Sequence, residues 1–422
     1  MYLLPIHVPI YVDGSATFVT TEWHRSLLLL RDSLEGRFGD IVVVAPSLPA
    51  RTAGREQSLV EIKAGEAGLR LAPSIDRRCR MIKYWQVERR RWRADVAKLL
   101  PQAKVVHGAM DDVYRPIAFD AFCDAVRFRD AAGNSPCTVF VQDTDIVAQH
   151  RELARTQSLA AKIKAHLYGM VYERWVRRAV GRADLSLLKG SALMDRYGPF
   201  ARNAKLFHDT SFSERDVLPI DRLEARLTTL ATDRPIRLVY CGRFLPRKGL
   251  DHGLRILAGA RATGANATLD LIGDGSERVR LESLTRSLSL QEVVKFTGSK
   301  PYGPELLGEL ATYDGLLFTP TAEDTPRMIF DGYAAGLPLI AYDIGYVRER
   351  EREERATALL PRQELEQSAA VLAALCADRP ILATLARAAH AAAEYHAAER
   401  WYRQRAQWTF EAYDAHAKRS RK

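Results

Sequence analysis

Glu323 and Asp331 stand eight residues apart in the segment Glu323-Asp-Thr-Pro-Arg-Met-Ile-Phe-Asp331, which runs on into Gly332-Tyr-Ala-Ala-Gly-Leu-Pro338. Carboxylates accept hydrogen bonds from hydroxyl groups, and the residues around this pair predict how it is held. Gly315-Leu-Leu-Phe-Thr319 reads as a strand, Pro326 suits a first helical turn, and Gly336-Leu-Pro338 closes that helix before the apolar run Leu339-Ile-Ala-Tyr342. Glu323 then precedes the helix and Asp331 lies inside it. Eight residues are a little over two helical turns, so the two side chains would touch different parts of one extended ligand. Backbone N–H groups at the start of the same helix suit acidic or hydroxyl-rich groups.

Upstream, Leu238-Val-Tyr-Cys-Gly242-Arg243-Phe-Leu-Pro-Arg-Lys248-Gly249 places Arg243 and Lys248 beside a glycine turn after a strand. Arginine can grip phosphate oxygens with a bidentate fork, lysine adds a point charge, and Gly249 lets the loop approach closely. With Leu269-Asp-Leu-Ile-Gly-Asp-Gly275 and Val293-Val-Lys-Phe-Thr-Gly298-Ser299-Lys-Pro between them, these motifs resemble the retaining nucleotide-sugar glycosyltransferases of family 4 over roughly residues 236–350. The resemblance implies an α/β fold of GT-B type, two Rossmann-like parallel-sheet domains facing a central cleft. It implies that Glu323 meets the donor sugar, that Gly242, Arg243 and Lys248 carry the donor diphosphate, and that Asp331, a Glu in most of the family, holds the ribose. Asp324 and Thr325 would offer backbone N–H groups to sugar hydroxyls, Pro326 can offer none, and Ser299 would meet the base through its backbone. The nucleoside diphosphate sugar is then a co-substrate, with no other cofactor and no metal. Asp143-Thr144-Asp145 has the form of a metal-binding Asp-x-Asp, but it follows a strand of the other domain.

The elements that must position these residues alternate strand and helix from end to end, which argues for two parallel-sheet domains. Leu3–Val12 reads as a strand, Asp13-Gly14-Ser15 as a loop, and Trp23, Leu27, Leu30 and Leu34 as the buried stripe of a helix. Ile41-Val-Val-Val-Ala45 suits a strand buried on both faces. Lys104-Val-Val-His107, Thr138–Gln142 and Leu185–Leu188 come next as strands. Residues 212–234 read as a connection with little apolar periodicity. The expected division is an acceptor-side domain, 1–212, rejoined by a C-terminal helix, 395–422, and a donor-binding domain, 235–394. Open parallel sheets bind ligands at the carboxyl ends of their strands. Read as a strand end, His107 is a candidate to relay the acceptor proton or bond a sugar hydroxyl, or else a structural histidine. Gly14 sits where the family has a glycine-rich loop near the diphosphate, and equally forms an ordinary turn.

With 422 residues, 47% of them hydrophobic, the chain can bury two cores. Five cysteines show neither zinc nor disulfide spacing, and the N-terminus lacks the pattern of a secretory signal. A cytoplasmic protein is expected. The net charge of +10 concentrates in two segments. Arg77, Arg78, Arg80, Lys83, Arg89, Arg90, Arg91 and Arg93 surround Met81, Trp85, Trp92, Val96 and Leu99; Lys162, Lys164, Arg174, Arg177, Arg178 and Arg182 flank Leu167, Val171 and Trp175. Such helices either rest on an anionic membrane, at the inner face of the cytoplasmic membrane in this reading, or pack their stripes on their own sheet with the cations in solvent. No base-stacking or groove-reading motif accompanies the charge, which argues against nucleic acid. The function so implied is transfer of a sugar to a hydroxyl of a glycan, a lipid-linked or another acceptor. The alternatives are a same-fold nucleotide-sugar epimerase or phosphorylase, and a non-catalytic basic membrane-binding protein.

Overall fold

A computed structural model describes residues 1–53, 58–63, 65–154, 157–362 and 364–420. Two compact units divide the chain: Met1–Arg151, Ser158–His208 and Trp401–Lys422 form the first, Glu152–Gln157 and Asp209–Arg400 the second.

Among the described residues the first unit contains β1 (Tyr2–Pro5), β2 (Ile10–Asp13), β3 (Ala16–Thr20), β4 (Ile41–Pro49), β5 (Leu59–Glu61), β6 (Leu69–Asp76), β7 (Val105–Ala109), β8 (Cys137–Gln142), β9 (Leu185–Lys189) and β10 (Ala204–Phe207). Their order is β10-β9-β8-β7-β1-β4-β2-β3-β5, with β6 also on β4. The run Ile41–Ala45 is buried throughout because β4 lies between β1 and β6, parallel to both. Leu3–Val12 is two strands rather than one. Pro5 and Pro9 lack the N–H that a continuous ladder needs, and β2 pairs instead with the far end of β4, Ile10 opposite Ser47. Asp13-Gly14-Ser15 then turns an antiparallel hairpin into β3, with Gly14 at φ +58°. Gly14 is therefore the glycine of a hairpin turn within the connection between β1 and the first helix, Thr21–Ser33.

The second unit contains β11 (Ile236–Cys241), β12 (Ala267–Ile272), β13 (Val294–Gly298), β14 (Gly315–Phe318), β15 (Leu339–Tyr342) and β16 (Thr357–Leu360). All its pairs are parallel, in the order β13-β12-β11-β14-β15-β16. The order reverses between β11 and β14, and at such a point the loops leaving the two strands part and open a crevice. The stretch 212–234, expected as a connection, is instead largely part of this unit. Ile220–Leu230 is a helix whose Leu223, Leu227 and Leu230 are buried in the core. Their spacing is helical, and the charged residues between them hid it.

The chain returns to the first unit at Trp401 through the helix Ala398–Ser420. Phe410 and Tyr413 pack on Phe38, ring centroids 5.7 and 5.1 Å away. Residues 421 and 422 of the expected C-terminal segment lie outside the described residues. Near the helix end, His416 Nδ1 is 3.2 Å from Asp184 Oδ2 and Nε2 is 2.9 Å from the Ser135 carbonyl. Two acceptors on two ring nitrogens favour the imidazolium, and the bond to Asp184 raises the His416 pKa. A raised folded value stabilises fully below the unfolded pKa, about 6.5, and the contribution fades as pH rises through the folded value. The melting gap between wild type and His416→Ala should be wider at about pH 6 than at about pH 8.5. Equal gaps would show that the charge on His416 contributes nothing.

Candidate functional site

The loops after β11 and β14 meet at the reversal point of the second unit. Gly249 adopts φ +60°, and a Cβ there would stand 2.0 Å from the Thr319 carbonyl oxygen, so only glycine allows the approach. Thr319 Oγ1 donates to the Gly249 carbonyl at 2.8 Å, and Thr321 N donates to the Arg247 carbonyl at 3.0 Å. These bonds tie the cation loop to the carboxylate loop.

Lys248 is 8% exposed and bonds Asp324 Oδ2, and Arg247 NH1 lies 3.0 Å from the same oxygen. Burial lowers the Lys248 pKa, and the Asp324 carboxylate opposes that shift. Arg243 is exposed, and no described carboxylate pairs with it. Asp324 was expected to act through its N–H; in the structure its buried carboxylate holds two cations together.

The two carboxylates of the motif have different partners. Glu323 accepts from Gly345 N at 3.1 Å and Tyr346 N at 2.8 Å, capping the ten-residue helix Gly345–Glu354. An anion at a helix N-terminus is stabilised by the dipole and by donors the helix cannot itself satisfy. Asp331 is 9% exposed, and its Oδ1 accepts from the Tyr302 hydroxyl at 2.8 Å. The helix that carries Asp331 runs Met328–Ala334, beginning two residues after Pro326, and its first turn already uses the N–H groups of Phe330 and Asp331. Donors for a ligand are therefore not drawn from those two residues. Thr325 and Pro326 lie in the non-helical stretch that leads to it, and Ser299 comes directly after the end of β13.

Gly14 and His107 belong to the first unit. His107 is not at a strand end: β7 continues through Gly108 and Ala109, and His107 lies opposite Val139 of β8. Its Nδ1 is 2.6 Å from the Tyr2 hydroxyl, and burial drives its pKa down to about 3. That sealed, neutral imidazole is a core group, which removes the geometric ground for a proton relay. The residues that do leave β7 are Met110, Asp111 and Asp112. Burial raises Asp111 to about 7, and its Oδ1 has no hydrogen-bond partner among the described residues. Asp145 of the Asp-x-Asp triplet is held by Arg196 NH1, 2.9 and 3.0 Å from its two oxygens.

Sequence reasoning missed Arg247, Tyr302, Asp111 and the side-chain role of Asp324. The signals were present in Arg247-Lys248, in Pro301-Tyr302-Gly303 after a strand, and in the carboxylate pair Asp111-Asp112 just past β7.

Residues 221–393 match the family of glycosyl transferases group 1. The matched region contains Arg243, Arg247, Lys248, Glu323, Asp324 and Asp331. The chain is 26% identical over 218 residues to a 2-deoxystreptamine glucosyltransferase of Streptomyces kanamyceticus, covering 50% of this chain and 56% of that protein. It is 34% identical over 127 residues to a GDP-mannose-dependent alpha-mannosyltransferase of Mycobacterium tuberculosis, covering 30% of each. The chain therefore spans little more than half of the first relative and under a third of the second. Among solved structures it resembles WaaG, a glycosyltransferase involved in lipopolysaccharide biosynthesis, with TM-score 0.64 and 13% identity over 97% of this chain and 99% of that one. It also resembles HepE of Anabaena in complex with UDP, with TM-score 0.61 and 16% identity over 97% and 99%. These likenesses establish the fold: two Rossmann-like parallel-sheet domains of GT-B type. The group 1 region is the second of them.

Proposed function

We propose that the chain is a family 4 type hexosyltransferase, moving a sugar with retention from a nucleoside diphosphate sugar to a hydroxyl of a glycan, lipopolysaccharide or glycolipid acceptor. One observation carries this reading: the group 1 match falls on the unit in which Arg247 and Lys248 meet on Asp324, with Arg243 in the same loop as the two cations and Glu323 next to Asp324 in the other. As the bond from the anomeric carbon to the diphosphate breaks, negative charge builds on the leaving oxygens. Cations fixed before the reaction stabilise that charge without reorganising. Arg243, exposed, can fork onto the diphosphate, while Lys248 shares its charge between the ligand and Asp324. Glu323, already fixed on a helix N-terminus, presents a rigid acceptor to sugar hydroxyls, and the Asp331–Tyr302 pair offers an acceptor and a ring to the nucleoside. The cations meet the diphosphate's charge directly, so the reading needs no metal.

The test is incubation with a panel of nucleoside diphosphate sugars and hydroxyl acceptors, following nucleotide release and the anomeric configuration of the product. Transfer with retention, undiminished by excess chelator, is expected. An isomerised or phosphorolysed donor would replace this reading by an epimerase or phosphorylase, and loss of transfer restored by manganese would overturn metal independence.

A further inference from the structure

The basic segments of the first unit are not uniform once folded. Arg89 donates to both oxygens of Asp120 and Arg93 pairs with Asp124, while Trp92 and Val96 are fully buried, so this half of the first segment is structural. The half before it behaves differently. Tyr84–Glu88 is a π-helical turn between Met81–Lys83 and the α-helix Arg89–Leu99. A π turn widens the helix locally and rotates the residues before it relative to those after it. Tyr84 and Glu88 therefore point inward, and Met81, Ile82, Trp85 and Val87 outward, with Ile82 64% and Val87 58% exposed.

The helix Leu159–Val180 repeats the pattern. Tyr168, Tyr172 and Val176 face the core, while Leu159, Ile163, Leu167, Met170 and Val171 form an exposed stripe at helical spacing. Arg174 and Arg178 continue that stripe toward the C-terminal end, and Lys162 and Lys164 flank it. The two apolar faces join at Tyr114. Trp85 Nε1 donates to the Tyr114 carbonyl at 2.8 Å, the Tyr114 ring lies 5.4 Å from that of Tyr168, and Lys164 Nζ stands 6.0 Å above the Tyr114 ring. Between Tyr114 and the Leu159–Val180 helix runs an open, nearly all-carbon groove of about 520 Å³, walled by Val113, Ile163, Leu167 and Val171.

We infer that this continuous face, from the Met81–Val87 turn to the Leu159–Val180 stripe, docks the first unit on an anionic lipid bilayer. The rims decide the occupant. Arg80, Arg90, Lys162, Arg174 and Arg178 are exposed cations without a carboxylate partner among the described residues. Apolar side chains ringed by long cations suit insertion to the depth of the headgroups, the cations reaching the phosphates and Trp85 sitting at the boundary. No single described helix is long and apolar enough to cross a membrane. This docking goes beyond the proposed transfer reaction and does not depend on it.

The test is co-sedimentation of the full chain with vesicles of phosphatidylglycerol in phosphatidylcholine, against phosphatidylcholine alone. Binding to the anionic vesicles only, weakened by salt, is expected. Ile163→Ser with Leu167→Ser should abolish it without moving the melting temperature, and Lys162→Glu or Arg174→Glu should each weaken it roughly fivefold or more. No binding to anionic vesicles, or equal binding to both kinds, would overturn the inference. So would concentration-dependent dimers that the serine pair dissociates while vesicle binding stays absent, since the face would then join two copies of the chain. Because the readout is sedimentation, its failure leaves the transferase reading untouched.

Discussion

Replacing Arg350 with leucine should lower the melting temperature of the second unit by on the order of 10 °C. The Arg350 side chain is fully buried, with NH2 2.6 Å from both Glu349 and Glu353 and NH1 bonded to Glu354. Glu349 and Glu354 are themselves 2% and 5% exposed in their side chains. Charges taken out of water are tolerated only while paired, and removing one partner of such a group costs about 3–5 kcal/mol because the others stay buried without compensation. A unit of this size melts roughly 2–4 °C lower per kcal/mol lost. Combining Arg350→Leu with Glu349→Gln and Glu354→Gln should restore much of the loss, since neutral amides are less costly to bury than carboxylates. Scanning calorimetry of the three proteins checks this. A drop below about 3 °C in the single variant would mean that water reaches the carboxylates. The effect also reaches the site, because the helix that carries Arg350 is the one whose N-terminus Glu323 caps.

Much of the candidate site was legible because its residues fall in two short motifs. Glu323, Asp331, Arg243, Lys248 and Gly249 stand out by type and spacing, and the strands beneath them by apolar runs. What they touch was not legible. Glu323 finds its donors 22 and 23 residues on, Asp331 its hydroxyl 29 residues back, and Lys248 its carboxylate 76 residues on. Local pattern carries no information about such pairs, which the sheet order creates. His107 was misplaced for a related reason: Gly108 and Ala109 have no strand-forming character, yet β7 continues because Phe140 and Val141 of β8 pair with them. The arginine-rich segment was visible as charge, but not the π turn that divides its apolar residues between core and surface. That turn is set by packing, with Tyr84 bonded to Asp120 at 2.8 Å, rather than by propensity.

Lys248→Ala should reduce kcat/KM for the donor by roughly two orders of magnitude, or about 3 kcal/mol, the upper range for a charged hydrogen bond in a partly dry site. Asp324→Asn should do something different. Lys248 is buried, and burial alone pulls its pKa down; the Asp324 carboxylate is what opposes that shift. Exchanging the carboxylate for an amide of the same shape keeps a hydrogen-bond acceptor but removes the counter-charge. The ammonium then loses its proton at lower pH in the empty site, and the diphosphate must bind a lysine that is partly neutral. As pH rises, donor affinity in Asp324→Asn should therefore begin to fall at a lower pH than in wild type. A purely structural Asp324 would give a uniform loss at every pH, so calorimetric titration with nucleoside diphosphate at several pH values separates the two. Parallel pH profiles in variant and wild type would show that Asp324 shapes the loop and does not hold the charge on Lys248.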